Sequence, residues 1–221
     1  MKKLEKLFAQ NQAWSERISR LNPEFFPTLA KQQAPEYLWI GCSDSRVPAN
    51  EIIGLLPGDV FVHRNVSNLV THTDMNCLSV LQYAVRVLKV KHVMVVGHYG
   101  CGGVKASLGP TNLGLIDNWL RHVKDVYIKH REVLAQWKDD EAFMLDRLCE
   151  LNVIEQAVNV CNTTMVQEAW TNNGQELAIH GWIYGLDNGQ LRDLNFCVGS
   201  ADEIDAQYQE AVAAIAARKP E

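Results

Sequence analysis

The sequence has no long apolar run, no excess of positive charge and no low-complexity stretch. Each absence removes a class of protein. The longest apolar stretches, such as Val93 to Val96, fall far short of the roughly 20 residues a helix needs to cross a bilayer. Lys2 and Lys3 could open a secretion signal, but Gln10, Asn11, Gln12 and Ser15 break any apolar core behind them. A cytoplasmic location is therefore expected. Lysine and arginine total 21 against 26 aspartates and glutamates, a net charge of −5. Without a basic run, neither nucleic acid nor an anionic membrane is an expected partner. No Pro/Gly/Ser-rich linker and no internal repeat interrupts the chain. Residues 1–221 are read as one domain, with an N-terminal helical arm over 1–32. At 47% apolar content, 221 residues can bury a full core. The six cysteines are irregularly spaced, which in a reducing compartment favours metal or catalytic use over disulfides.

What is present is an alternation of short apolar runs and amphipathic stretches. Leu4, Leu7, Phe8, Asn11, Trp14 and Ile18 keep helical spacing. Asn22-Pro23 resembles a cap with proline at the first position of a short helix reaching about Lys31. Tyr37–Gly41, Val60–Val62, His92–Gly97 and Leu177–Tyr184 read as buried strands. Thr73–Val90, Asn112–Trp137, Asp140–Thr171 and Ala201–Arg218 read as helices, and Gln190–Val198 as an edge strand after a Gly185–Gly189 hairpin. Buried strands separated by helices predict an α/β fold: a mostly parallel sheet flanked by helices, with an antiparallel edge strand. Ligands of such sheets gather at the carboxyl ends of the strands.

Two chemically loaded segments begin where apolar strands end. One is Gly41-Cys42-Ser43-Asp44-Ser45-Arg46; the other is Gly97-His98-Tyr99-Gly100-Cys101-Gly102-Gly103. Both are expected on one rim. Cys42, His98 and Cys101 offer two thiolates and one imidazole, a donor set suited to zinc. The glycines at 100, 102 and 103 are read as allowing a tight turn between ligands. Three protein ligands, with no fourth Cys or His nearby, leave a position for water, as in a catalytic zinc site. Isolated buried thiols and a core histidine are the plainer explanation, but they do not account for all three at strand ends. Cys77, Cys149, Cys161 and Cys197 stand singly and are read as packing. Asp44, two residues past Cys42, is expected to point the same way, with Arg46 as its bidentate partner. The pair would orient a nucleophile at the metal; the alternative is an ordinary loop salt bridge.

Cys42-x-Asp44-x-Arg46 with His98-x-x-Cys101 resembles the β-class carbonic anhydrases. The likeness runs from the Trp14 helix through His180-Gly181-Trp182-Ile183-Tyr184 and is closest to the bacterial, bicarbonate-regulated (type II) branch. The resemblance implies one zinc per subunit and reversible hydration of carbon dioxide to bicarbonate and a proton. Zinc lowers the pKa of bound water from about 15.7 to about 7, and the resulting hydroxide attacks carbon dioxide. It implies a homodimer or homotetramer, with the N-terminal helices laid on a partner subunit. It implies that Gln33 and the Gly102 N–H bind bicarbonate, and that Phe61, Val66 and Tyr83 wall an apolar pocket; singly, those three would be read as core. It implies a regulatory bicarbonate on Trp39, Arg64 and Tyr184, in whose presence Asp44 leaves Arg46 and becomes the fourth metal ligand. Three rival readings share some of these residues. A carbon disulfide or carbonyl sulfide hydrolase could use the same zinc set. A non-catalytic zinc module would leave the Asp44–Arg46 pair without a purpose. A cysteine phosphatase would need a glycine-rich phosphate cradle that the loop after Cys42 lacks.

Overall fold

The computed structural model describes residues 4–31, 34–110, 112–172 and 174–219. The chain divides after Ala34 into a small N-terminal unit and a main unit. The small unit holds α1 (Glu5–Leu21) and α2 (Phe25–Leu29), neither with a buried side chain. Trp14 meets Phe26 edge-on with ring centroids 5.5 Å apart, while Leu7, Phe8 and Leu21 remain exposed. The cap expected at Asn22-Pro23 is instead a turn. Asn22 Oδ1 accepts the Glu24 N–H at 3.2 Å, and helix starts only at Phe25.

In the main unit, β1 (Tyr37–Cys42), β2 (Val60–Asn65), β3 (His92–His98), β4 (Ala178–Tyr184) and β5 (Leu191–Val198) form one sheet in the order β2-β1-β3-β4-β5. The first four strands are parallel, and β5 returns antiparallel to β4. The residue pattern explains the placement. β1 and β3 are buried almost throughout, as befits strands covered on both faces. β5 alternates, with Leu194, Phe196 and Val198 inward and wet residues between them.

The helices of this unit are α3 (Ala49–Ile53), α4 (Met75–Gln82), α5 (Gly102–Leu108), α6 (Ile116–Lys129), α7 (Arg131–Leu134), α8 (Glu141–Cys161), α9 (Thr164–Thr171) and α10 (Ile204–Ala216). α8 is the core helix: Leu148, Leu151, Val153, Ile154, Ala157 and Val160 are fully buried. Gly97 on β3 lets it come close, since a Cβ there would lie 2.5 Å from Val153 Cγ2. The opposite face of the sheet carries Trp39, Met94, Val96 and Tyr184.

Several expected helices are shorter, each for a local reason. Asn112–Leu115 is a turn: Gly114 has φ +84 and its N–H donates to Asn112 Oδ1. α6 ends at His130, and only the short α7 and a 3₁₀ turn reach Trp137. The helix expected over 140–171 breaks at Asn162-Thr163, where Thr163 Oγ1 donates to the Val160 carbonyl. The helix expected from Thr73 starts at Met75, capped by Asp74, and widens into a π turn over Tyr83–Leu88. α3 and α5 lie where the sequence pattern predicts no helix.

Candidate metal centre

β1 and β3 are parallel neighbours, so their carboxyl ends open on one rim. Cys42 ends β1 and His98 ends β3. The chain then turns through Gly100, at φ +65, and returns Cys101 to the same place. Gly102 and Gly103 do not extend that turn as expected. They open α5, and the Lys105 N–H donates to the Cys101 carbonyl at 3.0 Å. Gly103 is needed for space, because a Cβ there would fall 2.2 Å from Ser67 Oγ.

The three predicted ligands converge. Their donor atoms all lie within 4.8 Å of one another, and the two sulfurs are 3.7 Å apart. All three side chains are buried. The His98 Nδ1–H donates to the Tyr99 carbonyl at 2.9 Å, so the lone pair sits on Nε2. Nε2 is buried and has no hydrogen-bond partner. The Cys42 sulfur accepts backbone N–H groups from Asp44 at 3.4 Å and Ser67 at 3.3 Å. The two thiols are electrostatically linked. Cys101 is pulled down to about 4, chiefly by the hydrogen bond from the Cys42 thiol, against the penalty of burial. Cys42 is pushed up by holding that shared proton and by burial. For His98, burial alone would lower the pKa, but Cys101 beside it raises it. One buried negative charge, a second thiol and an unpartnered imidazole nitrogen are what a soft divalent cation satisfies. The residues therefore fit zinc.

Asp44 reaches this centre differently from expectation. The chain leaves the strand at Cys42 and turns at Ser43-Asp44. Asp44 Oδ2 accepts the Gly102 N–H at 3.2 Å, and Oδ1 takes Arg46 Nη2 at 3.1 Å. The Arg46 pair is a single contact, not a bidentate one, and is exposed. Arg46 itself sits at φ +61.

Trp39, Gly41 and Arg64 lie on one face of the sheet, with Gly41 and Arg64 in register. Trp39 and Tyr184 are buried in one apolar cluster, and the Trp39 indole lies over Gly41. Arg64 spans the loop after β1. Its Nε donates to the Cys42 carbonyl at 2.9 Å, and its Nη atoms to the Ser43 and Val47 carbonyls and Ser45 Oγ. The Phe61 and Tyr83 rings meet at 5.8 Å. Val66 is half-buried beside Ser67, and its carbonyl accepts the Trp119 Nε1–H at 2.8 Å. Gln33 lies outside the described residues.

Two further residues contribute to the centre. Ser67 stands at φ +67, fully buried, so that its N–H aims at Cys42. Asn152 on α8 holds it there by donating to its carbonyl at 3.0 Å, and Gln156 in turn donates to Asn152. Neither residue belongs to a ligand motif, and no local spacing marks them.

Among the described residues, a second donor group, His63, Asp74 and Cys77, also lies within 4.8 Å. It does not fit a metal. Asp74 Oδ1 caps α4, and the Asn65 amide, fixed by two bonds to Leu69, approaches His63 Nε2 at 3.3 Å. Burial pushes the Cys77 thiol up to about 12.

Two cysteine sulfurs and an imidazole on the carboxyl rim of a parallel sheet define a zinc-type metalloenzyme site. The family model described as carbonic anhydrase matches residues 37–191. The carbonic anhydrase of Emericella nidulans is 52% identical over 192 residues, covering 86% of this chain and 83% of that protein. A Coccomyxa β-carbonic anhydrase, solved with acetazolamide, superposes with a TM-score of 0.86 at 36% identity, over 99% of this chain and 100% of that one. A tetrameric β-carbonic anhydrase of Sordaria macrospora gives 0.82 at 39% identity, over 90% and 100%. The chain belongs to the β-class carbonic anhydrase family, and it is an enzyme.

Proposed function

We propose that the enzyme interconverts carbon dioxide and bicarbonate, with Cys42, His98 and Cys101 holding one zinc ion. The observation that carries this is the buried, unpartnered His98 Nε2 facing two linked sulfurs. When bound, zinc supplies a Lewis acid that makes water a nucleophile near neutral pH. The chain's own part is orientation. The Asp44 and Ser67 N–H groups hold the Cys42 sulfur in place. Asp44, steered by Gly102 and Arg46, presents a carboxylate that accepts but cannot donate, and so orients a reacting O–H. Gln33 and Gly102 are proposed to receive bicarbonate. Phe61, Val66 and Tyr83 are proposed to exclude water. In support, the Phe61 and Tyr83 rings meet at 5.8 Å, and Val66 precedes Ser67, whose N–H donates to the Cys42 sulfur. Cys42→Ser and His98→Ala should lose both bound zinc and carbon dioxide hydration. A metal-free variant with full rate would refute the assignment, and faster turnover of carbon disulfide or carbonyl sulfide would favour the rival hydrolase.

We further propose membership of the bicarbonate-regulated branch, resting on Trp39, Arg64 and Tyr184. Arg64 is tied to four acceptors on the loop that carries Asp44 and Arg46. An anion that drew Arg64 toward Trp39 and Tyr184 would release that loop. Tyr184→Phe should flatten the dependence of rate on bicarbonate between about pH 7 and 8.5, where ligand competition near neutrality operates; an unchanged profile ends the reading. The cytoplasm is the proposed location; no helix among the described residues is long and apolar enough to cross a membrane. A homo-oligomer, with the arm over 1–32 lying on a partner subunit, is supported by the tetrameric Sordaria relative and by exposed Leu7, Phe8 and Leu21.

A further inference from the structure

We propose that Tyr99 positions His98 for the metal, and that Glu150 and Arg218 hold Tyr99 in place; this rests on the zinc reading above. Tyr99 is fixed at three points. Its carbonyl accepts the His98 Nδ1–H at 2.9 Å, and its N–H donates to the Tyr184 carbonyl at 3.1 Å. Its phenol donates to Glu150 Oε1 at 2.5 Å. The first contact sets which His98 nitrogen keeps its proton and where the ring points. The other two decide where that carbonyl can be.

Glu150 lies on α8 and is fully buried. A buried carboxylate survives only when well paired. Arg147 supplies Nη2 at 3.0 Å to Oε1 and Nε at 2.8 Å to Oε2, the latter an ion pair without hydrogen-bond alignment. Arg218, two residues past the end of α10, brings Nη1 to Oε1 at 2.5 Å. Arg192 on β5 reaches the Tyr99 hydroxyl at 3.3 Å. The guanidinium groups of Arg147 and Arg192 each stand 5.9 Å from the Tyr99 ring centre. A latch serving only to pin the C-terminal segment to α8 would need Arg218 and Glu150 alone. Here the same carboxylate oxygen also takes the phenol of the residue that carries a metal ligand's hydrogen bond. Burial holds the Glu150 carboxyl above its usual value, although Arg147, the Tyr99 phenol and Arg218 each pull it down.

Outer-shell partners of metal-bound histidines typically change metal affinity by about 10- to 100-fold. The test is zinc affinity by competition with a chromophoric chelator, together with the visible spectrum of the cobalt(II)-substituted protein. Tyr99→Phe keeps the ring and main chain and should raise the zinc Kd about tenfold, with a changed cobalt spectrum. Arg218→Ala should act in the same direction. The double variant should weaken binding by less than the product of the two, because both act through one chain of contacts. Tyr208→Phe is the control. It removes a phenol bonded at 2.8 Å to Glu155, a carboxylate outside the ligand set, and should leave zinc affinity unchanged. If Tyr99→Phe stays within about twofold of the parent with an unaltered spectrum, the inference falls. It also falls if Tyr208→Phe weakens zinc equally, since the loss would then follow general stability. If Arg218→Ala does not fold, Tyr99→Phe decides alone. A parent protein that binds no zinc would sink the zinc reading and this inference together; a parent that binds zinc with indifferent variants sinks only the latter.

Discussion

Gly97 on β3 leaves no room for a side chain against Val153 on α8, which yields a size-exchange prediction. A Cβ on residue 97 would stand 2.5 Å from Val153 Cγ2, whereas carbon atoms in contact sit about 3.5–4.0 Å apart. Val153 is fully buried on α8, so it cannot swing into solvent. Gly97→Ala must therefore push β3 from α8 by about 1 Å, just before His98. Overpacking of this kind costs about 1–3 kcal/mol. A less flexible unfolded chain returns about 0.4–1 kcal/mol. Val153→Ala removes two methyl groups and costs about 2 kcal/mol. In the double variant the new methyl occupies space the valine vacated, so about 1–2 kcal/mol should be recovered relative to the sum of the singles. The assay is thermal and denaturant unfolding of zinc-saturated protein at one fixed concentration, which holds metal and assembly linkage constant. Each kcal/mol should move Tm by about 2–4 °C. Additive losses, or a Gly97→Ala Tm within about 1 °C of the parent, would refute the packing argument.

Asp44→Asn keeps the size but turns one acceptor oxygen into a donor, so the bond from either the Gly102 N–H or Arg46 is lost; carbon dioxide hydration should fall by about 10² with zinc content intact, and a parent-like rate would show that Asp44 orients nothing. Glu155 sits among His130 at 2.7 Å, Lys129 at 2.8 Å and Tyr208 at 2.8 Å. Burial alone would raise its carboxyl, but hydrogen bonds from His130, Lys129 and Tyr208 hold it below the ordinary 4.5. A depressed carboxylate stabilises the fold above its unfolded value, and that contribution is lost as pH falls through the folded value. The stability margin of the parent over Glu155→Gln should therefore shrink on acidification below pH 4.5; a denaturant midpoint difference independent of pH would contradict this. Cys197 is exposed and the other five cysteines are buried. Iodoacetamide should therefore label Cys197 alone in the native protein and all six cysteines once it is unfolded; peptide mapping that finds Cys42 or Cys101 labelled in native protein as fast as Cys197 would contradict their burial.

Much was legible along the chain because it is local. The apolar runs that end at Cys42 and His98 announced two buried parallel strands, and strands of that kind share a carboxyl rim. Two thiols and an imidazole on that rim are a metal set wherever the rest of the chain goes. Helix ends were less legible. The breaks at Asn162-Thr163 and over Asn112–Leu115 turn on a side chain competing for a backbone group, a choice that apolar periodicity does not report.

The surroundings of the metal set were decided only by folding. Ser67 reaches Cys42 because Asn152, 85 residues away, takes its carbonyl. Tyr99 carries no motif, yet it is tied to Glu150 across 51 positions, and Glu150 to Arg218 across 68. Gly103 reads as a turn glycine and proves to be the gap into which Ser67 fits. Donor identity and strand-end position are properties of short segments, so the kind of chemistry can be read along the chain. How each donor is held cannot, because a side chain's hydrogen-bond partner depends on which distant helix packs against it.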